Sequence, residues 1–490
     1  MRYRVSLAVL LTFLAGAAAQ DCRAVFAESA GTTARLGGLF RVHDPGTGDE
    51  KCGDMSLKGG EAVEAMLFAV DKLSQSNQNL VVGVTFDVQI YDTCGREDEA
   101  AKSTLELVGF AEPENINFGY DATTCPARDQ VFVGVVGPSL SQSAISASEV
   151  LTPVQVPVIS PTATSIELDD KEKFPHFMRT ASSDKSQAQA MVELLVVLGW
   201  TYVSTVASAD SYGRMGIAEF TRAAKEAGIC VAVSTEVSNT ASGQAYFGPI
   251  LNQLITKAED GAVGVVAFLH DFNFQRIMEV AVSEGDRAKV LTWIVSEGVG
   301  PDQTVVQGYG SHARGMVTLR PSFSVIQEFQ QHMETQHAVN RRGINPWFPE
   351  YYMELNQCRI NHRSIDYTAR KYVRFATLEV CDSFIMSSGF NQTFVASKTI
   401  DAVYAFAYAM RAAQADLCGP NPSGLCDDMR RMTQEEFFRY LQDVYFTGLG
   451  GNTVRFDETG NVEAAYDLFN YVDTNDDGEG DTFNRTTYHH

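Results

Sequence analysis

The run Val131-Phe-Val-Gly-Val-Val136, then Gly137-Pro138-Ser139, then Ser141 to Leu151, decides how this chain folds. A short β-branched run suits a buried strand. The Gly-Pro-Ser step breaks it, and an amphipathic stretch follows. The same rhythm extends outward. Val156 to Ser160 reads as a strand, and Ser165 to Leu168 opens the next turn. Gln187 to Leu198 reads as a helix, Tyr202 to Ala207 as a strand, and Gly216 to Ala227 as a helix stopped by Gly228. Val263 to Leu269, Phe274 to Val282 and Val290 to Val295 continue the alternation. Strands alternating with helices of this length predict an α/β fold built on parallel sheets of βαβ units.

So much chain needs two such sheets. Crossings between them are expected near Thr180 to Asp184, Arg320 to Ser324 and Val454 to Asn461. Three crossings predict two lobes on a three-stranded hinge. Glu112 to Asp129 breaks the rhythm and reads as an exposed loop carrying Cys125.

The amino terminus sets the compartment. Arg2 and Arg4, the apolar run Val5 to Leu14 and the small residues through Ala19 form a secretory signal peptide, residues 1–19. The apolar run is too short to span a bilayer, which takes roughly 20 residues. Roughly 470 residues then remain, enough for two or three structural units. Stretches such as Met191 to Trp200 are also too short for membrane helices, so a soluble product is expected. The formal net charge of −23 repels phosphate backbones and argues against nucleic-acid binding.

Nine cysteines in an oxidising compartment imply disulfides, and the odd count leaves at least one out. Cys418 and Cys426 enclose a turn-rich loop able to close locally. No zinc-type cysteine spacing is present. Asp473 to Gly478 opens like a calcium loop, but its twelfth position is Asn484 rather than a bidentate Glu, so an acidic hairpin tip is expected. Asn391 and Asn484 head glycan acceptor sequons. No hydrolase, phosphate-loop or metalloprotease motif occurs, so neither an enzyme nor a cofactor or metal is expected.

In parallel sheets, ligands sit beyond the carboxyl ends of strands. The polar residues there are Ser139, Ser141 and Ser143; Thr162, Thr164 and Ser165; Asp210, Ser211 and Tyr212; His270 and Asp271; and Ser296 and Glu297. Asp184 lies at the first crossing. Serine hydroxyls at a helix start suit a carboxylate. Threonine hydroxyls with Asp184 and Glu297 suit an ammonium group, and Tyr212 offers it an aromatic face. Together they describe a clamp for a zwitterion. Taken singly, these hydroxyls also serve as ordinary caps and turn formers, and Asp184 as a helix cap.

Several longer motifs carry a resemblance. Val63-Glu-Ala-Met66 with Asp71-Lys72, Ala188 to Leu195, Leu198-Gly-Trp200 through Ser204, and Ser211-Tyr212-Gly213 are four. Asn345-Pro-Trp-Phe-Pro-Glu350, Gly424-Leu-Cys426-Asp427 and Val454-Arg-Phe-Asp457 are three more. Through them the mature chain resembles the metabotropic glutamate receptors of class C. The resemblance implies a Venus-flytrap fold, similar to type I periplasmic binding proteins, closing on an amino acid or related amine. It implies lobe 1 at 20–180 with 323–455, and lobe 2 at 181–322 with 456–490.

By the same resemblance Ser141 and Thr164, with Thr162 nearby, meet the ligand head group, and Asp184, Tyr212 and Glu297 meet its ammonium. Glu297 stands where the family carries Asp. Ala62 stands where glutamate-binding members carry Arg, with Lys58 a turn earlier and Lys398 as the second basic contact. Glutamate is therefore not the expected ligand, because a displaced Lys grips a carboxylate less well than an Arg fork. The resemblance further implies disulfides Cys52–Cys94, Cys358–Cys381 and Cys418–Cys426, and an intersubunit disulfide at Cys125 of a homodimer. It implies that Cys230 pairs with a cysteine-rich domain. Membrane helices and a G protein would enter through regions beyond residue 490, with this part on the extracellular face. A free-standing secreted amino-acid-binding protein is the alternative.

Overall fold

The computed structural model describes residues 33–47, 50–75, 80–109, 130–386, 390–463, 465–472, 474 and 482–486. The first sheet holds β1 (Thr33–Phe40), β2 (Thr85–Asp92), β3 (Gln130–Val136), β4 (Val158–Ser160) and β5 (Phe177–Arg179). All pair in parallel, in the order β2-β1-β3-β4-β5. Helices α1 (Leu57–Ser74), α2 (Glu97–Leu107) and α3 (Ser141–Leu151) connect them. Each sheet face has its own core. Val133 and Val136 pack on one side, Phe132 and Val135 on the other, as expected of a parallel sheet covered twice.

After Arg179 the chain passes to α4 (Asp184–Leu198) and a second sheet. There β6 (Tyr202–Ser208), α5 (Ser211–Glu226), β7 (Cys230–Val237), α6 (Gln244–Glu259), β8 (Gly264–Phe268), α7 (Asp271–Glu284), β9 (Thr292–Val295) and β10 (Val317–Pro321) follow in turn. The chain then returns to the first core. It adds α8 (Phe348–Asn356), the long α9 (Phe394–Leu417) and α10 (Gln434–Gln442). It leaves again for β11 (Tyr466–Val472) and β12 (Thr482–Thr486), which extend the second sheet antiparallel at β10. That sheet runs β12-β11-β10-β9-β8-β6-β7. Periodicity signalled its parallel part but not this antiparallel edge. Most of the calcium-loop-like run lies outside the described residues, and its flanks are the strands β11 and β12.

The elements agree with the expected alternation, while their starts shift. Helix α4 begins at Asp184 and α5 at Ser211, three and five residues before the apolar pattern suggested. Polar first turns carry no apolar period, so pattern reading starts late. Two of the quoted motifs meet in space. Glu64 of α1, fully buried, accepts from Asn345 Nδ2 at 2.8 Å and from the Arg341 guanidinium. Burial alone would raise this carboxyl, but its hydrogen bonds and Arg341 hold it below the ordinary range.

Three segments join the sheets: 180–183, 322–326 and 456–465. The first and third are tied by Arg179, wholly buried. Its backbone N–H donates to Gly460 O at 2.9 Å, and its guanidinium donates to the carbonyls of Ala163 and Ser165. The disulfides Cys52–Cys94, Cys358–Cys381 and Cys418–Cys426 are all formed. Cys22 and Cys125 lie outside the described residues, and so do the signal peptide and the 112–129 loop. Cys230 is free and exposed.

Candidate functional site

Strand ends of both sheets converge on one cavity of about 60 Å³. Arg41 follows β1, Lys58 and Gly59 begin α1, and Ser141 begins α3. Tyr212 in the first turn of α5, Asp271 at the start of α7, and Glu297 after β9 face them from the second sheet. Gly59 explains how α1 comes so close. A Cβ there would lie 1.7 Å from the carbonyl oxygen of Arg41, so only glycine lets the helix abut the strand end.

One end of the site is a cluster of acids. Glu297 is buried, and its carboxylate accepts from the Thr164 hydroxyl at 3.1 Å, from the Tyr212 hydroxyl at 3.2 Å and from the Gln187 amide. Gln187 Nε2 also donates to Asp184 Oδ1 at 3.0 Å, and its carbonyl accepts the Glu297 N–H at 2.8 Å. Asp184 is fully buried, and its Oδ2 has no hydrogen-bond partner among the described residues. Burial, and then the neighbouring Glu297, pushes the Asp184 carboxyl well above its ordinary value. Burial likewise raises Glu297 despite its donors. Burial and the two carboxylates hold the Tyr212 phenol neutral, as a donor. Arg179 offsets part of the Asp184 cost, yet it is itself paired with Asp169. Among the described residues neither Asp184 nor Glu297 forms an ion pair of its own, although buried carboxylates ordinarily have a charged partner.

The other end is basic but already satisfied. Arg41 grips Asp271 bidentately, Nη1 to Oδ1 at 2.7 Å and Nη2 to Oδ2 at 2.9 Å. Lys58 Nζ lies 3.2 Å from Asp271 and donates to Gly298 O at 2.8 Å. Arg41 also lies 3.1 Å from Asp44. Burial would raise Asp271, but Arg41 and Lys58 outweigh it and hold the carboxyl far below its usual value. These bonds join residues of the two sheets. So does the hydrogen bond of 2.8 Å between the Ser165 and Ser211 hydroxyls.

Of the residues singled out from sequence, the expected ligand contacts Lys58, Ser141, Thr162, Tyr212 and Glu297 line the cavity, and so do the strand-end residues Ser139, His270 and Asp271. Thr164 and Asp184 do not, although Thr164 bonds Glu297 directly and Asp184 shares Gln187 with it. Ser141 Oγ accepts the Ser165 N–H at 3.1 Å, and the Thr162 hydroxyl donates to Ser139 O at 2.8 Å. Asp184 is not a helix cap: Ser183 holds that position. Lys398 is not among the lining residues. It lies four residues beyond Phe394 on α9, about 6 Å along the axis, where burial lowers its pKa and Asp401 is its charged neighbour.

Sequence reasoning passed over Arg41 and Gln187. Arg41 obeys the strand-end rule, but β1 is interrupted by Gly37-Gly38 and gives a weak strand signal. Gln187 lies three residues after Asp184, the spacing that places two side chains on one helix face. Asn391 and Asn484 are both exposed. Cys52, Asp92 and Cys94 are close enough to hold a metal, but the two sulfurs are spent on each other. No described helix is long and apolar enough to cross a membrane.

Comparison with known proteins agrees with this architecture. Residues 61–474 match the family model described as the receptor family ligand binding region. The chain is 31% identical to a metabotropic glutamate receptor of Drosophila melanogaster, over 89% of this chain and 48% of that protein. It is 30% identical to metabotropic glutamate receptor 4 of Macaca fascicularis (91% and 48%) and of Rattus norvegicus (89% and 47%). The chain thus spans about half the length of the curated relatives it matches. Two sheets meeting at strand ends, joined by three passages, and a family match over most of the chain agree: it belongs to the receptor family ligand binding region, as a class C, metabotropic glutamate receptor-like member.

Proposed function

We propose that this chain is the extracellular sensor of a class C receptor, and that it takes an α-amino acid or related amine between two lobes and signals by closing on it. The lobes would be 20–180 with 323–455, and 181–322 with 456–490. The reading rests above all on Asp184 and Glu297, two buried carboxylates that share one amide donor and form no ion pair among the described residues, Arg179 near Asp184 being paired with Asp169. A ligand ammonium supplies the partner charge. Thr164 and Tyr212 already point their hydroxyls at Glu297, so they hold the acids in place for it. The ligand carboxylate is assigned to Ser141 and the start of α3, where Leu140 provides no side-chain cap. The open N–H groups and the helix dipole there favour an anion.

Closure would pass through a homodimer, with Cys125 as the intersubunit link, to membrane and G-protein regions outside this chain. A ligand shifts the lobes only as far as it prefers the closed form. The test is calorimetry of the purified chain against the common amino acids and amines. Asp184→Asn should weaken the best ligand about tenfold to hundredfold, since a hydrogen bond to a charged group contributes roughly 1.5–3 kcal/mol. Unchanged affinity in a variant with a normal melting transition would refute the ammonium site.

A further inference from the structure

The basic end of the cavity is occupied by the chain itself. Asp271 reaches across from α7 and gives both carboxylate oxygens to the Arg41 fork, at 2.7 and 2.9 Å, while Lys58 stands 3.2 Å away. This is the bidentate geometry by which an Arg recognises a free carboxylate. All three residues line the same cavity as Ser141, Tyr212 and Glu297. We infer that Asp271 fills, from within the protein, the place a ligand's distal carboxylate would take, and so restricts the cleft to amino acids or amines whose side chain carries no acid. This rests on the cleft reading proposed above and names the ligand class.

Charge counting supports it. The two cations that line the cavity at this end, Arg41 and Lys58, both pair with Asp271, and Arg41 also with Asp44, on which Arg276 acts from outside the lining. Neither lining cation is left unpaired for a third acid. The cluster is already strained by its acids: burial and the nearby Asp271 raise the Asp44 carboxyl to about 6 against the pull of Arg41. The two pairs are also largely withdrawn from solvent, Arg41 being 5% exposed and Asp271 15%, so screening by water does little to relieve a further like charge. At the opposite end Asp184 and Glu297 form no ion pair among the described residues, and Arg179 near Asp184 is already paired with Asp169. The cleft therefore presents a demand for one positive charge and none for a side-chain anion. A glutamate or aspartate entering by its ammonium would bring its second carboxylate against Asp271.

The residue also has a positional reason to be there. It is the first residue of α7, directly after β8, where its carboxylate complements the helix dipole as well as Arg41. That second interaction keeps the side chain at the helix start while the fork holds it from the other lobe. Phe272, next in sequence, lies under the Arg41 guanidinium at 5.4 Å and under Arg276 at 5.3 Å, which fixes the approach of the helix.

The experiment uses the full chain, matched ligand pairs and a gain of function. Wild type, Asp271→Asn and Asp271→Ala are titrated calorimetrically with glutamate and glutamine, aspartate and asparagine, and alanine. Wild type should bind a neutral member and bind each acid at least tenfold more weakly than its amide. Both variants free Arg41 and Lys58, so their affinity for an acid should rise at least tenfold and the acid–amide preference should reverse. The double variant Arg41→Met with Asp271→Asn should lose that gain. Wild type binding glutamate or aspartate as well as the amide overturns the inference, and needs no variant to fold. Folded variants that keep the neutral ligand but gain no acid overturn it while leaving the cleft reading intact. Absence of binding by every chain to every ligand overturns the cleft reading, and this inference with it.

Discussion

The acids in the cleft set how this protein responds to pH. Asp184 and Glu297 have folded-state pKa values above their ordinary ones, because burial disfavours both charged forms and Glu297 further opposes that of Asp184. In the unfolded chain they titrate near 4. Between that value and their raised ones the folded state binds more protons, so their contribution to stability falls as pH rises. Without ligand, Asp184→Asn should therefore gain in melting temperature over wild type as pH increases from about 4 to 8. A constant difference in scanning calorimetry across that range would refute it. His43 behaves in the opposite sense. Burial alone would lower it, but hydrogen bonds to Asp92 and Glu350 outweigh burial and raise it to about 9. Its stabilisation is complete below about 6.5, the unfolded value, and is lost as pH climbs through 9. With 12% of its side chain exposed, the contribution is about 3 kcal/mol. His43→Ala should destabilise the chain at pH 6 far more than at pH 9.5. At this scale sequence reading named most of the acids and hydroxyls of the site, because strand-end position can be read from periodicity. It missed that Glu297 and Asp184 would share Gln187, and it placed Lys398 beside a cavity that it does not line.

Among the elements, α1 and α9 do most to position the cavity wall. Gly59 lets α1 touch the end of β1, which brings Arg41 and Lys58 onto the same acid. Gly59→Ala must push that helix off the strand, and it should cost about 1–3 kcal/mol, the usual range for forced overpacking. Chemical denaturation of the variant measures this, and a loss under 0.5 kcal/mol, ordinary for an unconstrained surface site, would contradict it. Helix α9 lies over β3, where Gly134 leaves room for a ring: a Cβ there would stand 2.4 Å from Phe406. Gly134→Val should therefore destabilise the chain by a similar amount, read from the same denaturation curve. The elements were legible where strand and helix alternate regularly. They were less so for β1, with its two glycines, and for the antiparallel β11, whose partner β10 lies far back in the chain.

For the whole molecule, the decisive contacts are those between the two sheets' loops. Arg41 and Asp271 are 230 residues apart in sequence, and Ser165 and Ser211 bond across the same gap. Removing the fork by Arg41→Met should loosen this contact between the two sheets' loops. Small-angle scattering without ligand should then show a larger radius of gyration than for wild type, and an unchanged radius would show that the fork does not hold the lobes. What the sequence determined by itself was local or cumulative: the βαβ rhythm, the motifs shared with class C receptors, the cysteines that pair, and the acids and hydroxyls at strand ends. The rhythm and the strand-end residues follow from side-chain period, and the paired cysteines from the resemblance that the shared motifs carry. Only the tertiary structure decided which charges meet. A buried carboxylate is an empty receptor or a filled one according to its nearest cation, and that cation comes from a distant strand end. Hence the acids at 184 and 297 form no ion pair among the described residues, while the basic pair of Arg41 and Lys58 is already closed by Asp271.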